Sequence, residues 1–173
     1  MLRSMPANRR QNGTEPLDDA NLKLLAELQA DGRLSFAELG RRVGLSPPAV
    51  AERVARMEET GVIIGYRAEV DPRALGYSLS VVIRVRPAPR ELKKVAELAQ
   101  RTPEVVECHR ITGEDCYFMK AHVRDVVHME EVIDVFAVYG QTTTSIVQSS
   151  PVPLRHVAAP ITAMPAGIVS SGP

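Results

Sequence analysis

Ser35-Phe-Ala-Glu-Leu-Gly-Arg-Arg-Val-Gly44-Leu-Ser46-Pro-Pro-Ala-Val-Ala-Glu-Arg53-Val-Ala-Arg56-Met-Glu-Glu-Thr-Gly61 holds two short helical patterns that meet at a glycine. Ser35 followed by Glu38 is a capping box: the hydroxyl accepts from an early backbone N–H and the carboxylate reaches back to the cap. Gly44 falls where the first helix must end in a left-handed conformation, which a residue without Cβ adopts at little cost. Ser46 caps a second helix, and Pro47 takes its first position, where the missing N–H would be unpaired anyway. Val50, Val54 and Met57 recur at i, i+4 and i+7, so this helix has one apolar stripe. The spacing predicts a helix-turn-helix, in which the second helix lies in a DNA major groove with its N-terminal residues toward the bases. On spacing alone a plain helical hairpin in a bundle fits as well.

Upstream, Asp18 is a good N-cap for a helix carrying Leu22, Leu24, Leu25 and Leu28, which Asp31-Gly32-Arg33 stops. Leu22, Leu25 and Leu28, together with Phe36, Leu39, Val43, Val50, Val54 and Met57, make a three-helix core. Downstream, Val62 to Val70 alternates as a half-buried strand and reads as the wing of a winged unit. Residues 1–16 are a polar, aperiodic arm, and 17–70 form the DNA-binding domain. Asp71-Pro72 breaks the strand, and 71–76 is a linker.

Residues 77–152 follow another pattern. Leu79, Val81, Ile83 and Val85 alternate up to Pro87 as a strand. Glu91 to Arg101 is helical. Val105 to Ile111 and Cys116 to Val123 are strands around the turn Thr112-Gly-Glu-Asp115. Val126 to Tyr139 is helical and stopped by Gly140, and Thr142 to Ser149 is a final strand. The order β-α-β-β-α-β predicts a ferredoxin-like sheet with two helices on one face, for an α+β protein overall. The bare sheet face calls for self-association. Residues 153–173, rich in proline, read as a disordered tail.

Composition narrows the function. Of 173 residues, 45% are hydrophobic and 24% charged, which suits a soluble protein. Aromatics are 4% with no Trp, which disfavours stacking on single-stranded nucleic acid. No apolar run approaches the ~20 residues of a membrane span, and no apolar stretch follows Met1-Leu-Arg-Ser-Met-Pro as in a signal peptide. A cytoplasmic, nucleoid-associated protein with no membrane partner is expected. Net charge is zero, from 21 basic and 21 acidic residues. DNA affinity rests heavily on phosphate contacts, so DNA binding here needs local arginine placement and several copies acting together.

With both halves read, the chain resembles the Lrp/AsnC (feast/famine) transcription regulators. The carrying pieces are Leu17-Asp18, Leu28-Gln29-Ala-Asp31-Gly32-Arg33, Glu38-Leu39, Arg42-Val43-Gly44-Leu45-Ser46-Pro47, Arg53-Val54, Gly61-Val62-Ile63, Gly65-Tyr66, Asp71-Pro72 before Leu75-Gly76, Thr112-Gly113-Glu114-Asp115 and Thr142-Thr143-Thr144. The resemblance spans about residues 17 to 150. It implies a winged helix-turn-helix on double-stranded DNA, a RAM domain that forms homodimers through its sheet and assembles further to octamers, and a small effector, usually an amino acid, bound between dimers. The chain departs at Asn21, where the family often has Asp, and at Val138-Tyr139-Gly140-Gln141.

The expected DNA-binding residues are Arg41, Arg42, Ser46, Pro47, Pro48, Val50, Arg53 and Arg56. Pro48 and Val50 offer apolar contact to a thymine methyl; Arg53 and Arg56 reach phosphate or guanine. Arg53 can instead bind a carboxylate within its own domain. The expected effector-binding residues are Gly113, Glu114, Asp115, Thr142 and Thr144. Backbone N–H groups at Gly113 would take an α-carboxylate, an acidic side chain the α-ammonium, and the threonines would add hydroxyls; the competing reading is a plain hairpin turn.

Register across that turn sets Cys108 opposite Met119, so Cys108 and Cys116 read as buried free thiols. No cofactor is expected. A metal site from Cys108, His109, Cys116 and His122 matches no usual zinc spacing. His128 and His156 read as surface residues. Two other functions compete with an effector-responsive regulator: a ligand-free architectural DNA-binding protein, and an enzyme akin to the haem-biosynthesis decarboxylases that resemble this family, using His109, Arg110 and His122.

Overall fold

The computed structural model describes residues 17–155 and 157. The chain divides into two compact units that part between Arg67 and Ala68, with Leu154, Arg155 and Val157 belonging to the first. The expected arm (1–16), most of the tail and His156 lie outside the described residues.

The first unit is three helices: α1 (Asp19–Ala30), α2 (Phe36–Val43) and α3 (Pro47–Glu59). Each begins at a side-chain cap. Asp18 accepts from the Asn21 N–H at 2.7 Å, Ser35 from Glu38 at 3.2 Å and Ser46 from Ala49 at 3.4 Å. The second half of the capping box is absent, because the Glu38 carboxylate takes Arg41 and Arg42 instead. Gly44 ends α2 in the left-handed region at φ 76°. The core is Leu24, Leu39, Val50, Val54 and Met57, with Leu25, Leu28 and Val43 packed against it. Leu24 thus sits at the centre of the α1 stripe, while Phe36, expected inside, is 44% exposed. Gly40 carries a constraint that spacing did not signal. A Cβ there would lie 2.4 Å from the Leu45 carbonyl oxygen, so only glycine lets α2 pack on the turn that follows it.

The wing strand does not form. Residues 62–70 carry no strand, and Ile64, Tyr66 and Val70 are all more than half exposed. Alternation marks a segment able to join a ladder, but among the described residues no strand lies beside it to pair with. Tyr66 anchors the segment by donating to the Glu58 carboxylate at 2.9 Å. In the same unit the Gln29 side-chain amide both donates to the Val157 carbonyl (3.2 Å) and accepts from its N–H (3.1 Å).

The second unit opens with a 3-10 turn, Pro72–Leu75, where a plain linker was expected. Then come β1 (Leu79–Pro87), α4 (Leu92–Arg101), β2 (Val105–Arg110), β3 (Tyr117–Val123), α5 (Val126–Ala137) and β4 (Gly140–Ile146). The sheet is antiparallel in the order β2-β3-β1-β4. Val81, Ile83 and Val85 of β1 join Met119, Ala121 and Val123 of β3 against Val95 and Ala99 of α4 and Val132 and Phe136 of α5. Side chains alternate across a strand, so Val82, Arg84, Phe118 and Lys120 share the opposite, uncovered face. Cys108 pairs with Met119, as expected, but it is exposed instead of buried because β2 is an edge strand, and Cys116 is half-buried.

Two expectations fail at α5. The helix ends at Ala137, and Gly140 opens β4 instead of stopping the helix; its Cβ would lie 2.2 Å from the Arg86 carbonyl oxygen. His128 is 5% exposed, not a surface residue. Its Nδ1 accepts from the Arg124 N–H at 3.2 Å, and its Nε2 lies 3.1 Å from Glu104 Oε1.

Gly40→Ala should lower the stability of the helical unit by about 1–3 kcal/mol, the usual range for overpacking. Gly44→Ala meets no atom within 4 Å and should cost only the left-handed penalty, about 1–2 kcal/mol. Urea unfolding of both variants checks the order.

Candidate DNA-binding and effector sites

The sequence places eight residues on DNA, and the structure divides them. Ser46, Pro47 and Pro48 stand exposed at the start of α3, and Arg41, Arg42 and Arg56 are exposed as well. Val50 is 0% exposed. It belongs to the stripe that faces Leu24 and Leu39, so it reaches no groove. Arg53 turns inward across the bundle. Its Nη1 lies 2.6 Å from Asp18 Oδ2 and 3.0 Å from Asn21 Oδ1, which ties α3 to the N-terminus of α1. The Asn21 N–H, with Arg53 beside it, holds the Asp18 carboxyl below its ordinary range. Of the two readings left open for Arg53, the intradomain carboxylate is the one observed.

Every arginine of α2 and α3 has an acidic partner. Arg42 bridges Glu38 (2.8 Å) and Glu27 (2.7 Å), Arg41 meets Glu38, and Arg56 meets Glu52 at 2.9 Å. These exposed pairs contribute little to stability. Their consequence is electrostatic: the helix-turn-helix presents guanidinium groups already shared with carboxylates.

The effector set also divides. Glu114 pairs with Arg86 at 2.6 Å, and the Arg86 Nε donates to the Glu114 carbonyl at 3.0 Å. Asp115 lies 3.3 Å from Arg84. Arg84 and Arg86 project from the uncovered sheet face. Thr142 and Thr144 stand opposite Val85 and Ile83, so they lie on the helix-covered face, and the Thr144 hydroxyl is buried without a hydrogen bond among the described residues. The expected cluster therefore does not converge. Thr143, opposite Arg84, is the threonine on the same face as the ion pairs. Arg84 and Arg86 were missed by sequence reasoning. Their signal was present in β1, where the residues between the core valines and Ile83 fall on the other face.

The enzyme residues do not converge either. His109 pairs with Glu107 (2.6 Å) and His122 lies 2.9 Å from the Ser80 hydroxyl, both from the uncovered face. Arg110 stands opposite Tyr117, on the helix-covered face. Burial, then Lys120, holds His122 below its ordinary value. Among the described residues no three His, Cys, Asp or Glu side chains are placed to hold a metal ion, and no helix is long and apolar enough to cross a membrane.

Comparison with known proteins fits both halves of this architecture. Residues 17–58 match the AsnC-type helix-turn-helix domain, and 80–157 match the Lrp/AsnC ligand binding domain. The uncharacterized HTH-type transcriptional regulator YezC of Bacillus subtilis is 40% identical over 134 residues, covering 78% of this chain and 95% of that protein. The solved structure of B. subtilis LrpC superposes with a TM-score of 0.76 at 34% identity, covering 79% of this chain and 97% of that one. A feast or famine regulatory protein from M. tuberculosis, solved in complex with L-methionine, gives a TM-score of 0.77 at 30% identity, covering 82% of this chain and 99% of that one. A helix-turn-helix unit followed by a ligand-binding α+β unit defines a DNA-binding transcription regulator. The chain belongs to the Lrp/AsnC family.

Two measurements test these placements. Arg53→Ala should lower Tm while leaving the salt slope of DNA binding unchanged; Arg56→Ala should reduce that slope by about one or less and spare Tm. The second concerns pH. The folded chain binds a proton at His122 less readily than the unfolded chain, which titrates near 6.5. The stability linked to His122 is thus fully present above that value and is lost as pH falls through the folded one. His122→Gln should flatten the decline in urea midpoint on acidification.

Proposed function

We propose that the protein is a sequence-specific regulator that binds double-stranded DNA through α2 and the exposed start of α3, and that a free amino acid, bound at the turn after β2, changes its assembly or its DNA affinity. The observation that carries the effector reading is the pair of ion pairs Arg84–Asp115 and Arg86–Glu114 at one end of the uncovered sheet face. A zwitterion offers one carboxylate and one ammonium, the two charges that can replace each partner of such a pair. Arg84 would take the α-carboxylate and Asp115 the α-ammonium, with Gly113 shaping the turn at φ 114° and the Thr143 hydroxyl close by in register. The L-methionine complex of the M. tuberculosis relative supports this ligand class.

The same face is the surface through which two copies would meet to form a homodimer and, from it, larger assemblies up to an octamer. Opening an ion pair there changes the charge that one copy presents to the next, which links ligand to assembly. Zero net charge supports the same picture, because each copy alone has a modest hold on phosphate and several copies add their contacts.

A thermal-shift screen of the twenty amino acids tests the reading. At a hundred times its dissociation constant the effector should add about 2.7 kcal/mol. The gain should vanish in Asp115→Ala and in Arg84→Gln, and persist in Thr144→Val. No shift across the panel, with DNA binding intact, would transfer the weight to a ligand-free architectural role.

A further inference from the structure

A cleft lies on the helix side of the sheet. It has a volume of about 210 Å³, between α4 and the edge strand β2, and is lined by Ala96, Ala99, Gln100, Cys108, Arg110 and Tyr117. We propose that this cleft binds a short carboxylic acid without an ammonium group, such as a 2-oxo acid.

Its chemistry is one-sided. Arg110 forms no ion pair among the described residues, in contrast to Arg84 and Arg86 on the opposite face, so its guanidinium is open to an anion. The Gln100 amide can donate a second hydrogen bond. No carboxylate lines the cleft, so an α-ammonium would find no counter-charge there and would stand beside the Arg110 guanidinium, a like charge. Although Cys108 is exposed at the edge strand, partial desolvation pushes its thiol up, which keeps it a neutral S–H that does not repel an anion. The rest of the lining is apolar. Ala96 and Ala99 are one helical turn apart on α4, and the Tyr117 hydroxyl is committed to the Leu92 carbonyl at 2.9 Å, which leaves its ring to contact the ligand. At ~30 Å³ per water the space equals about seven waters, enough for an acid of fewer than ~10 non-hydrogen atoms. Guanidinium, amide and a short apolar floor select a carboxylate head with a small hydrocarbon body.

Alkylation of Cys108 in the full-length protein reads occupancy directly, with Cys116 as the internal control. The probes are 4-methyl-2-oxopentanoate and L-leucine, which share a carbon skeleton and differ at the 2-position. The oxo acid at ten times its dissociation constant should slow N-ethylmaleimide modification of Cys108 about tenfold, as mass action requires. Cys116 should react at an unchanged rate, and L-leucine should give no such protection of Cys108. Protection should disappear in Arg110→Gln and in Ala96→Leu, which fills the floor, and should survive in Asp115→Ala, so a failed effector site at the turn leaves the result legible.

Three results would overturn the proposal. One is unslowed alkylation at every concentration of the acid. Another is protection that persists in both cleft variants or is lost in Asp115→Ala. The third is protection that rises with protein concentration without added acid, which would make the cleft a contact between copies.

Discussion

The alternation of side chains along β1 is the constraint from which the second unit follows. β1 is an inner strand, laddered to β3 on one side and β4 on the other. Val81, Ile83 and Val85 must face the helices to bury apolar surface, and a shift of one residue would turn all of them outward. With that register set, Arg84 and Arg86 have nowhere to project but the bare face. They can then reach the turn at 113–115, while Arg110 and Cys108 on β2 fall on the covered side. One strand's parity thus separates two candidate sites of opposite character, one with paired charges and one with an open cation.

In the helical unit the equivalent constraint is steric. The Leu45 carbonyl approaches Gly40 too closely for any side chain, and the turn between α2 and α3 is fixed by that contact and by the left-handed Gly44. Helix α3 is held a second time from its far side, where Arg53 meets the capping residue of α1. Asp18 therefore does two jobs. It satisfies an orphan N–H at the helix start and fixes α3 against α1.

Much of this was legible in the sequence because the signals were local. Caps at Asp18, Ser35 and Ser46, the left-handed Gly44, the alternation in β1 and β3, and the turn at Gly113 each depend on neighbours within a few residues. The family likeness was carried by the same local motifs in their order. What was not legible depended on distant partners. Residues 62–70 have the alternation of a strand, but a ladder needs a second strand, which the described residues do not set beside them. Val50 could be read both as core and as groove contact until the bundle showed which side α3 turns inward. Thr142 and Thr144 look like site residues by type, and only their pairing with Val85 and Ile83 puts them on the covered face. His128 is polar and sits in the first turn of a helix, so nothing local announced its burial against Glu104.

The pairing of Arg41, Arg42 and Arg56 with Glu38, Glu27 and Glu52 has a thermodynamic consequence. Association with DNA is usually driven by the entropy of cations set free from the phosphates. In the proposed complex each phosphate contact would also evict a carboxylate from its guanidinium, and the evicted carboxylate would gather a cation back from solution. The protein carries its own counterions, tethered to the chain where dilution cannot remove them. On the proposed binding mode, that return of ions would weaken its hold on arbitrary DNA and leave a firm hold to sequences whose shape lets several phosphates displace several carboxylates at once.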